Sequence, residues 1–282
     1  MEDPRLSDQQ LGLERVALRS PCPFCAGTNC KRAALFTARP EGETDFGFTP
    51  YRRELWQCGV CGHVMNHHQM SLEQIYERTY LEATYGDRVA EHFDTIMALP
   101  PGKSDNRERV ARVNHYAEAL GLMAPRRCLD VGCGLGVFPA AMAASNWQCL
   151  GIELNPRAVS FLREHAGIDV RCGDFVSMAP EPDYDLVSLN KVLEHVSDPV
   201  MLLARAADWL SDRGVIYVEV PDAEAALAHS PAREEFFIEH YAAYSIASLA
   251  MLAWQANLLT EKIERLRERS GKYSIVAFLK RP

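Results

Sequence analysis

Three glycines spaced two positions apart, Gly132, Gly134 and Gly136, follow the acidic residue Asp130 in a pattern that suits ligand binding. They come after a short apolar run and before a helical pattern, so they predict a turn between a strand and a helix. Glycine lets the backbone of such a turn pass close to a ligand, because it has no side chain. The dinucleotide fingerprint G-x-G-x-x-G does not fit, since Val137 stands where its last glycine would fall.

Four of the nine cysteines form two C-x-x-C pairs that could bind one metal ion. The pairs are Cys22 with Cys25 and Cys58 with Cys61. Four thiolates complete a tetrahedron around zinc and leave no position for water, so we expect a structural zinc. Cys30 and His63 lie close enough in sequence to be alternative ligands. The interval between the pairs exceeds the usual ~15 to 20 residues, which predicts a loop or hairpin between them.

Alternating strands and helices are needed to position these residues. Five apolar runs separated by helix-length segments predict βαβ units and a parallel sheet. The runs are 128–131, 149–153, 169–172, 184–189 and 215–220. Near the C-terminus, the spacing of Leu259, Ile263 and Leu266 predicts a helix, and residues 273–279 predict a last strand. The uncharged run 241–260 contains several polar residues, which favours a core helix over a membrane span.

From about Arg127 to the C-terminus, the order of these features resembles that of class I S-adenosylmethionine-dependent methyltransferases. The resemblance implies an α/β fold with a Rossmann-like, mostly parallel seven-stranded methyltransferase sheet, and S-adenosylmethionine as the cofactor. It implies that Glu153 binds both ribose hydroxyls, a role that suits a carboxylate because it accepts two hydrogen bonds at once. The other implied cofactor contacts are Asp130, Gly132, Gly134 and Gly136 in the glycine motif, Asp174 and Phe175 at the adenine, and Asn190 near the methionine part.

The segment 55–63, together with a helical pattern that Ser71 opens, resembles the N-terminal zinc module of sugar C-methyltransferases. In that subgroup the module and the helix behind it cover the substrate. The resemblance therefore implies that Tyr76, Tyr80 and Tyr85 line an acceptor pocket, whereas their helical spacing by itself is more typical of residues packed in a core. Two departures are visible. Phe237 and Ile238 replace the tyrosine and histidine of that subgroup, and the sequence ends at Pro282 without the subgroup's C-terminal domain.

Methyl transfer needs an aligned acceptor and the removal of its proton. A carbon acceptor loses its proton next to a carbonyl, and the resulting enolate must be stabilised. In the sugar enzymes the catalytic groups are a histidine after the fourth strand and a Glu-His pair after the fifth, which implies catalytic roles for His195, Glu239 and His240. We expect His240 to be the base and His195 to bind the acceptor or stabilise the enolate, with packing roles as the alternative. Lys191 is expected to face solvent.

Composition narrows the function further. The 282 residues carry a net charge of −8, which disfavours nucleic acid as a partner. We therefore expect methyl transfer to a small-molecule acceptor, with the carbon of a keto sugar or related carbonyl metabolite as the first candidate. The alternatives are an O- or N-methyltransferase of another metabolite, a zinc-module RNA methyltransferase, and a binding protein that keeps the fold without turnover.

The sequence divides into three parts. We expect a zinc-ribbon-like module over residues 1–68, a helical connector or lid over 69–106, and the methyltransferase domain over 107–282. The first sixteen residues contain no apolar stretch typical of a signal peptide. We therefore expect a cytoplasmic protein without a membrane span, in a reducing compartment that suits unpaired cysteines.

Overall fold

Seven strands form the larger of two sheets in the computed structural model, which describes residues 21–70 and 88–282. The strands are β4 (Arg126–Val131), β5 (Trp147–Glu153), β6 (Asp169–Cys172), β7 (Tyr184–Asn190), β8 (Leu210–Pro221), β10 (Leu259–Arg267) and β11 (Tyr273–Lys280). Their order in the sheet is β10-β11-β8-β7-β4-β5-β6. The strand β11 is antiparallel to both β10 and β8, and the other four pairings are parallel. The predicted mostly parallel sheet of seven strands is confirmed.

Helices connect the parallel strands, as the crossover geometry of such sheets requires. The α-helices among the described residues are α1 (Val89–Ala98), α2 (Asp105–Ala119), α3 (Val137–Ala143), α4 (Pro156–Phe161), α5 (Pro199–Ala207), α6 (Ala223–Leu227) and α7 (Ile246–Gln255). Several start at side-chain caps. Asn155, for example, accepts backbone N–H groups at the start of α4, which orients the chain directly after Glu153. The helix expected from Ser71 lies outside the described residues.

The helix predicted from Leu259, Ile263 and Leu266 is wrong, because these residues belong to the edge strand β10. Pairing with β11 along its whole length satisfies one side of the β10 backbone. Helical spacing of three apolar residues does not outweigh that pairing, and Leu259 is in fact exposed. The charged residues between them suit an exposed sheet edge.

The smaller sheet is antiparallel and has the order β1-β2-β3-β9. Its strands are β1 (Cys30–Phe36), β2 (Arg53–Cys58), β3 (Val64–His68) and β9 (Ala242–Ala243). The fourth strand comes from the later part of the chain and pairs with β3 through Val64 and Met65. The two sheets also share one apolar core, in which Phe24 and both cysteine pairs are packed with residues of β4, β7 and α7.

The uncharged run 241–260 contains β9 and the ten-residue helix α7, which has buried residues at Leu249, Leu252 and Ala253. Within residues 21–70 and 88–282, no helix has the length and apolar character needed to cross a membrane.

Candidate active site

The glycine turn, residues 132–136, connects β4 to α3 at the carboxyl edge of the large sheet. Gly132 donates its backbone N–H to the Ile152 carbonyl at 2.8 Å, which holds the turn against β5. Gly136 has φ +73°, and a Cβ there would lie 2.2 Å from a methyl group of Leu162, so only glycine fits. At Gly134, with φ +52°, no atom lies within 4 Å of the place a Cβ would take. The turn is therefore packed on one side and open at its middle.

Glu153 ends β5 next to this turn. One carboxylate oxygen accepts the Gly134 N–H at 3.0 Å and the other accepts the Asn155 N–H at 2.9 Å. Each carboxylate oxygen has two lone pairs, so both retain capacity for a further donor. The structure thus brings together Glu153 and the glycine turn as the sequence predicts.

Asp130 and Asn190 lie on the neighbouring strands β4 and β7. Asp130 is buried and accepts hydrogen bonds from Ser188 Oγ at 2.5 Å and Asn190 Nδ2 at 3.0 Å. Burial raises the pKa of its carboxyl to about 7. Asn190 Oδ1 is buried and has no hydrogen-bond partner among the described residues. Because buried polar atoms are normally paired, this oxygen marks a position for a ligand donor.

Asp174 and Phe175 differ in exposure. Asp174 is exposed and caps a short 3₁₀ turn by accepting the Val176 N–H at 3.1 Å. The Phe175 ring is buried, and its centroid lies 5.5 Å from that of Trp209. The ring of Phe175 therefore belongs to the core, and Asp174 is the side chain of this pair that faces outward.

The glycine turn and its neighbours fit a nucleoside with a charged tail. The open position at Gly134 leaves room for a ligand close to the backbone, and Glu153 offers acceptor capacity for hydroxyl groups. The unpartnered Asn190 oxygen offers an acceptor for an ammonium group. These acceptors and the open position at Gly134 suit the hydroxyl and ammonium donors of S-adenosylmethionine.

A cavity of about 260 Å³ lies beside this edge and is called here the acceptor cavity. Its walls come from the turn after β7, the segment 234–240 and the N-terminal loop 42–44. It is lined by Gly42, Thr44, Lys191, Glu194, His195, Pro221, Glu234, Glu235, Phe237, Glu239, His240 and Lys272. The structure therefore brings His195, Glu239 and His240 together, although forty-four positions separate the first two.

Both histidines are fixed in one tautomer by backbone carbonyls. His195 Nδ1 lies 3.2 Å from the Glu239 carbonyl oxygen, and His240 Nδ1 lies 2.9 Å from that of Glu235. A carbonyl oxygen only accepts, so in the neutral rings Nδ1 carries the proton and Nε2 the lone pair. Burial lowers the pKa of His195 to about 4 and that of His240 well below its usual range. Both imidazoles are neutral at pH 7.

Carboxyl groups in the cavity have the opposite shift. Burial raises the pKa of Glu194 to about 8 and that of Glu239 to about 7. Lys191 is not freely solvated as expected: its side chain is only 26% exposed, and its ammonium lies 3.0 Å from Glu268 and 3.8 Å from Glu219. Burial alone would lower the pKa of Lys191. The charges of these two carboxylates have the larger effect, so the pKa of Lys191 is raised.

The N-terminal sheet holds the segment that carries Glu239 and His240. Arg53 and Glu43 form a fully buried ion pair at 3.0 Å. Arg53 also donates to the Phe236 carbonyl at 2.6 Å, and Glu43 accepts the Ile238 N–H at 2.8 Å. A third contact runs from Asn66 Nδ2 to the His240 carbonyl at 3.0 Å. The backbone on both sides of Glu239 is therefore fixed by residues of the N-terminal part.

The four cysteines of the C-x-x-C pairs lie together. Their sulfurs are within 4.8 Å of one another, with Cys22–Cys61 and Cys25–Cys58 distances of 3.5 Å. A tetrahedral zinc with Zn–S bonds of ~2.3 Å places its sulfurs ~3.8 Å apart, so the group fits such an ion. Burial alone would raise the pKa of the Cys58 thiol. Hydrogen bonds from the N–H groups of Cys61 and Val60 outweigh the effect of burial, and the pKa is lowered to about 7.

The alternative ligands lie outside this group. His63 is buried with its ring edge against Phe24, at a centroid distance of 4.6 Å. Cys30 Sγ is 4.0 Å from the Gly27 carbonyl. Among the described residues, the sulfur group that could hold a metal contains the four predicted cysteines and neither alternative.

Sequence reasoning missed Glu194, Glu43 and Arg53. Glu194 was visible only as the neighbour of His195, and nothing in the local sequence distinguishes it from an exposed glutamate. Glu43 and Arg53 stand in polar stretches that are typical of surface loops and strands. Tyr76, Tyr80 and Tyr85 lie outside the described residues.

Comparisons with known proteins agree with this geometry. A family model described as a methyltransferase domain matches residues 103–262. The ubiquinone biosynthesis O-methyltransferase of Bordetella bronchiseptica is 30% identical over 113 residues, which cover 38% of this chain and 47% of that relative. The corresponding enzyme of Xanthomonas campestris pv. campestris is 32% identical over 110 residues, or 36% of this chain and 46% of the relative. The chain thus matches about half the length of these relatives.

Two solved structures share the fold. One is a 1,6-didemethyltoxoflavin-N1-methyltransferase of Burkholderia thailandensis with bound S-adenosylhomocysteine, at TM-score 0.55 and 16% identity, covering 85% of this chain and 99% of that one. The other is the magnesium protoporphyrin IX methyltransferase of Synechocystis PCC 6803, at TM-score 0.54 and 16% identity, covering 74% and 100%. Because the family model spans more than half of the chain, this protein belongs to the methyltransferase-domain family, which confirms the predicted enzyme class.

Proposed function

We propose that the protein transfers the methyl group of S-adenosylmethionine to a small molecule in the acceptor cavity. The observation that carries this proposal is the contact between the two sites. A Cβ on Gly132 would lie 3.1 Å from Val192, and Val192 begins the turn that ends at His195. The glycine turn and the histidine turn are therefore direct neighbours at the sheet edge.

The cofactor residues have separate roles in this proposal. Glu153 would bind the ribose hydroxyls, Asp174 would meet the adenine, and Asn190 Oδ1 would accept from the ammonium group of the methionine part. Asp130 acts mainly through Asn190, whose amide it holds at 3.0 Å. When bound, the cofactor supplies a methyl group on a positively charged sulfur.

The acceptor residues remove a proton and hold the acceptor in line. His240 is neutral and carries its lone pair on Nε2, so this atom takes the proton. His195 is placed by the Glu239 carbonyl and binds the acceptor. Glu239 lines the same cavity and supports the pair through that carbonyl.

The acceptor that we place first is a carbonyl compound such as a keto sugar, methylated at carbon. The support is the Glu239–His240 pair in the acceptor cavity, in a chain that also carries the four clustered cysteines. O-methylation is the second candidate, because the ubiquinone biosynthesis relatives are O-methyltransferases by name. In either case, a neutral base in the acceptor cavity suits the removal of one acceptor proton.

We also propose that Cys22, Cys25, Cys58 and Cys61 bind a structural zinc ion. The sulfur distances support a tetrahedral ion, and the knuckle N–H contact from Val60 to Cys58 Sγ at 3.4 Å is typical of such sites. The ion would hold the N-terminal sheet, whose Arg53 and Glu43 fix the segment carrying His240.

The proposal is tested by incubating the protein with S-adenosylmethionine and a panel of keto sugars and phenols. Formation of S-adenosylhomocysteine is measured, together with the mass of each acceptor. We expect a gain of one methylene mass in one acceptor class and its loss in His240→Ala. Tight cofactor binding without transfer to either class would contradict the assigned acceptors.

A further inference from the structure

Glu194 is a fully buried carboxyl group that the reaction above does not use. It lies between Leu193 and His195 in the turn after β7 and lines the acceptor cavity. One of its oxygens and one ring nitrogen each of His195 and His240 lie within 4.8 Å of one another. Glu194 is thus in the group of side chains that an acceptor would meet.

Both Glu194 oxygens lack a hydrogen-bond partner among the described residues. The backbone of this turn, in contrast, is hydrogen-bonded. Tyr241 N–H donates to the backbone carbonyl of Glu194 at 2.7 Å, and the Tyr244 hydroxyl donates to the Leu193 carbonyl. The turn is therefore rigid while its carboxyl group is left unpaired. A buried unpaired carboxylate is strongly unfavourable in free energy, so a ligand or a bound proton must compensate.

Two ligands would satisfy this group, a divalent cation or an acceptor oxygen that receives a hydrogen bond from the protonated carboxyl. Lys191 argues against the cation. Its ammonium is fixed nearby by Glu268 and lowers the pKa of both histidines by its charge. The same charge repels a divalent cation. It also favours the ionised form of Glu194, but burial has the larger effect on that carboxyl group.

We propose that Glu194, as a neutral carboxylic acid, donates a hydrogen bond to an oxygen of the acceptor and stabilises the negative charge that develops there. The role rests on the proposed function. The acceptor proton passes to His240 Nε2, and the electron pair it leaves forms the bond to the methyl carbon. The pair of the broken carbon–sulfur bond stays on sulfur, and Glu194 keeps its proton throughout.

The protonation state supports this role. Burial is the largest influence on Glu194 and raises its pKa to about 8, although Lys191 opposes the shift. The group is therefore mostly protonated at neutral pH. A buried protonated carboxyl held on a fixed turn is a strong donor to an oxyanion, because it needs little reorganisation when charge develops.

Infrared spectroscopy tests the proton without any acceptor. Asp130 and Glu239 also have raised carboxyl pKa values, so the readout is a difference spectrum between the wild type and a variant at neutral pH. The difference between the wild type and Glu194→Gln should contain the carbonyl stretch of one buried protonated carboxyl, and this band should disappear on titration through about pH 8. The difference between the wild type and Glu164→Gln, an exposed glutamate outside the cavity, should contain no such band. Absence of the band from the first difference spectrum would overturn the proposal.

A second measurement tests the hydrogen bond with 4-nitrophenol as an oxyanion probe. Glu194→Gln keeps a donor and should bind the probe within a few-fold of the wild type, whereas Glu194→Ala should bind it about 10- to 100-fold more weakly. Equal binding by the alanine variant would overturn the proposal. The proposal would also be overturned if the wild type bound one equivalent of metal in addition to that of the cysteine site and if Glu194→Gln lost this additional metal. Because neither measurement needs methyl transfer, both separate this proposal from the proposed reaction.

Discussion

The glycine turn and the acceptor cavity lie at the same sheet edge but are built in different ways. The turn and Glu153 come from two adjacent parallel strands, β4 and β5, and the chain reaches from one to the other within a single βαβ unit. The cavity joins loop 42–44, the turn after β7, segment 234–240 and Lys272. The cofactor side is therefore a local structure, and the acceptor side depends on packing between distant parts of the chain.

This difference predicts that loss of the zinc site affects the acceptor side much more than the cofactor side. Cys58→Ser should release the metal and unfold the N-terminal sheet, since apparent binding free energies of ~10 to 16 kcal/mol for structural zinc are coupled to folding. Cofactor affinity should fall far less than methyl transfer. Zinc content, circular dichroism and calorimetric titration with S-adenosylhomocysteine measure the three effects.

The matched control is Cys30→Ser, because Cys30 lies outside the group of four sulfurs. It should retain one zinc per chain and wild-type stability. Loss of zinc in this variant would instead assign Cys30 as a ligand. A metal-free wild-type protein with an intact N-terminal sheet would contradict the zinc proposal.

The buried Arg53–Glu43 pair is the next strongest link between the N-terminal part and the acceptor cavity. Arg53→Met leaves Glu43 as an unpaired buried charge and should lower the free energy of unfolding by about 3 to 5 kcal/mol. At temperatures where the variant is folded, kcat should fall while cofactor affinity stays near that of the wild type. Arg52→Gln is the control, since Arg52 is mostly exposed and its ion pair contributes little. Equal effects of the two substitutions would remove the positioning role.

The raised carboxyl pKa values of the acceptor side predict a pH dependence of stability. Glu194 shifts from 4.5 to about 8 and Glu239 from 4.5 to about 7, so the folded protein keeps protons that the unfolded chain releases. Their stabilising contribution is complete below about pH 4.5 and is lost as pH rises through 7 to 8. Glu194→Gln should flatten this decline by up to about 5 kcal/mol, whereas Glu164→Gln should not. Denaturant unfolding at several pH values checks the slope, and equal slopes would contradict the pKa assignment.

On the cofactor side, the effect of a substitution should be smaller and confined to binding. Glu153→Ala removes a charged acceptor from the ribose and should weaken S-adenosylhomocysteine binding by about 1 to 3 kcal/mol. Affinity of the acceptor cavity for 4-nitrophenol should stay unchanged. Calorimetric titration of both ligands provides the readout, with the exposed Glu181→Ala as the control. Unchanged cofactor affinity in Glu153→Ala would remove the ribose assignment.

The difference between locally built and long-range structure also explains which features of the fold and the site can be predicted from the sequence. The glycine turn, the five parallel strands and the four clustered cysteines follow from short patterns, because their spacing alone determines their geometry. The strand β10 does not, since its conformation depends on pairing with β11. Likewise, the fixing of segment 236–240 by Arg53 depends on a contact across 183 positions. The turn that carries Glu194 is held by Tyr241 and Tyr244 from a later segment. Local patterns do not encode such contacts.

The most direct test of the central claim is a crystal structure of the complex with S-adenosylhomocysteine. We predict that both ribose hydroxyls donate to Glu153, that the chain backbone at Gly134 contacts the ligand, and that its sulfur faces the cavity lined by His195 and His240. A ribose bound away from Glu153, or a sulfur directed away from that cavity, would contradict the account.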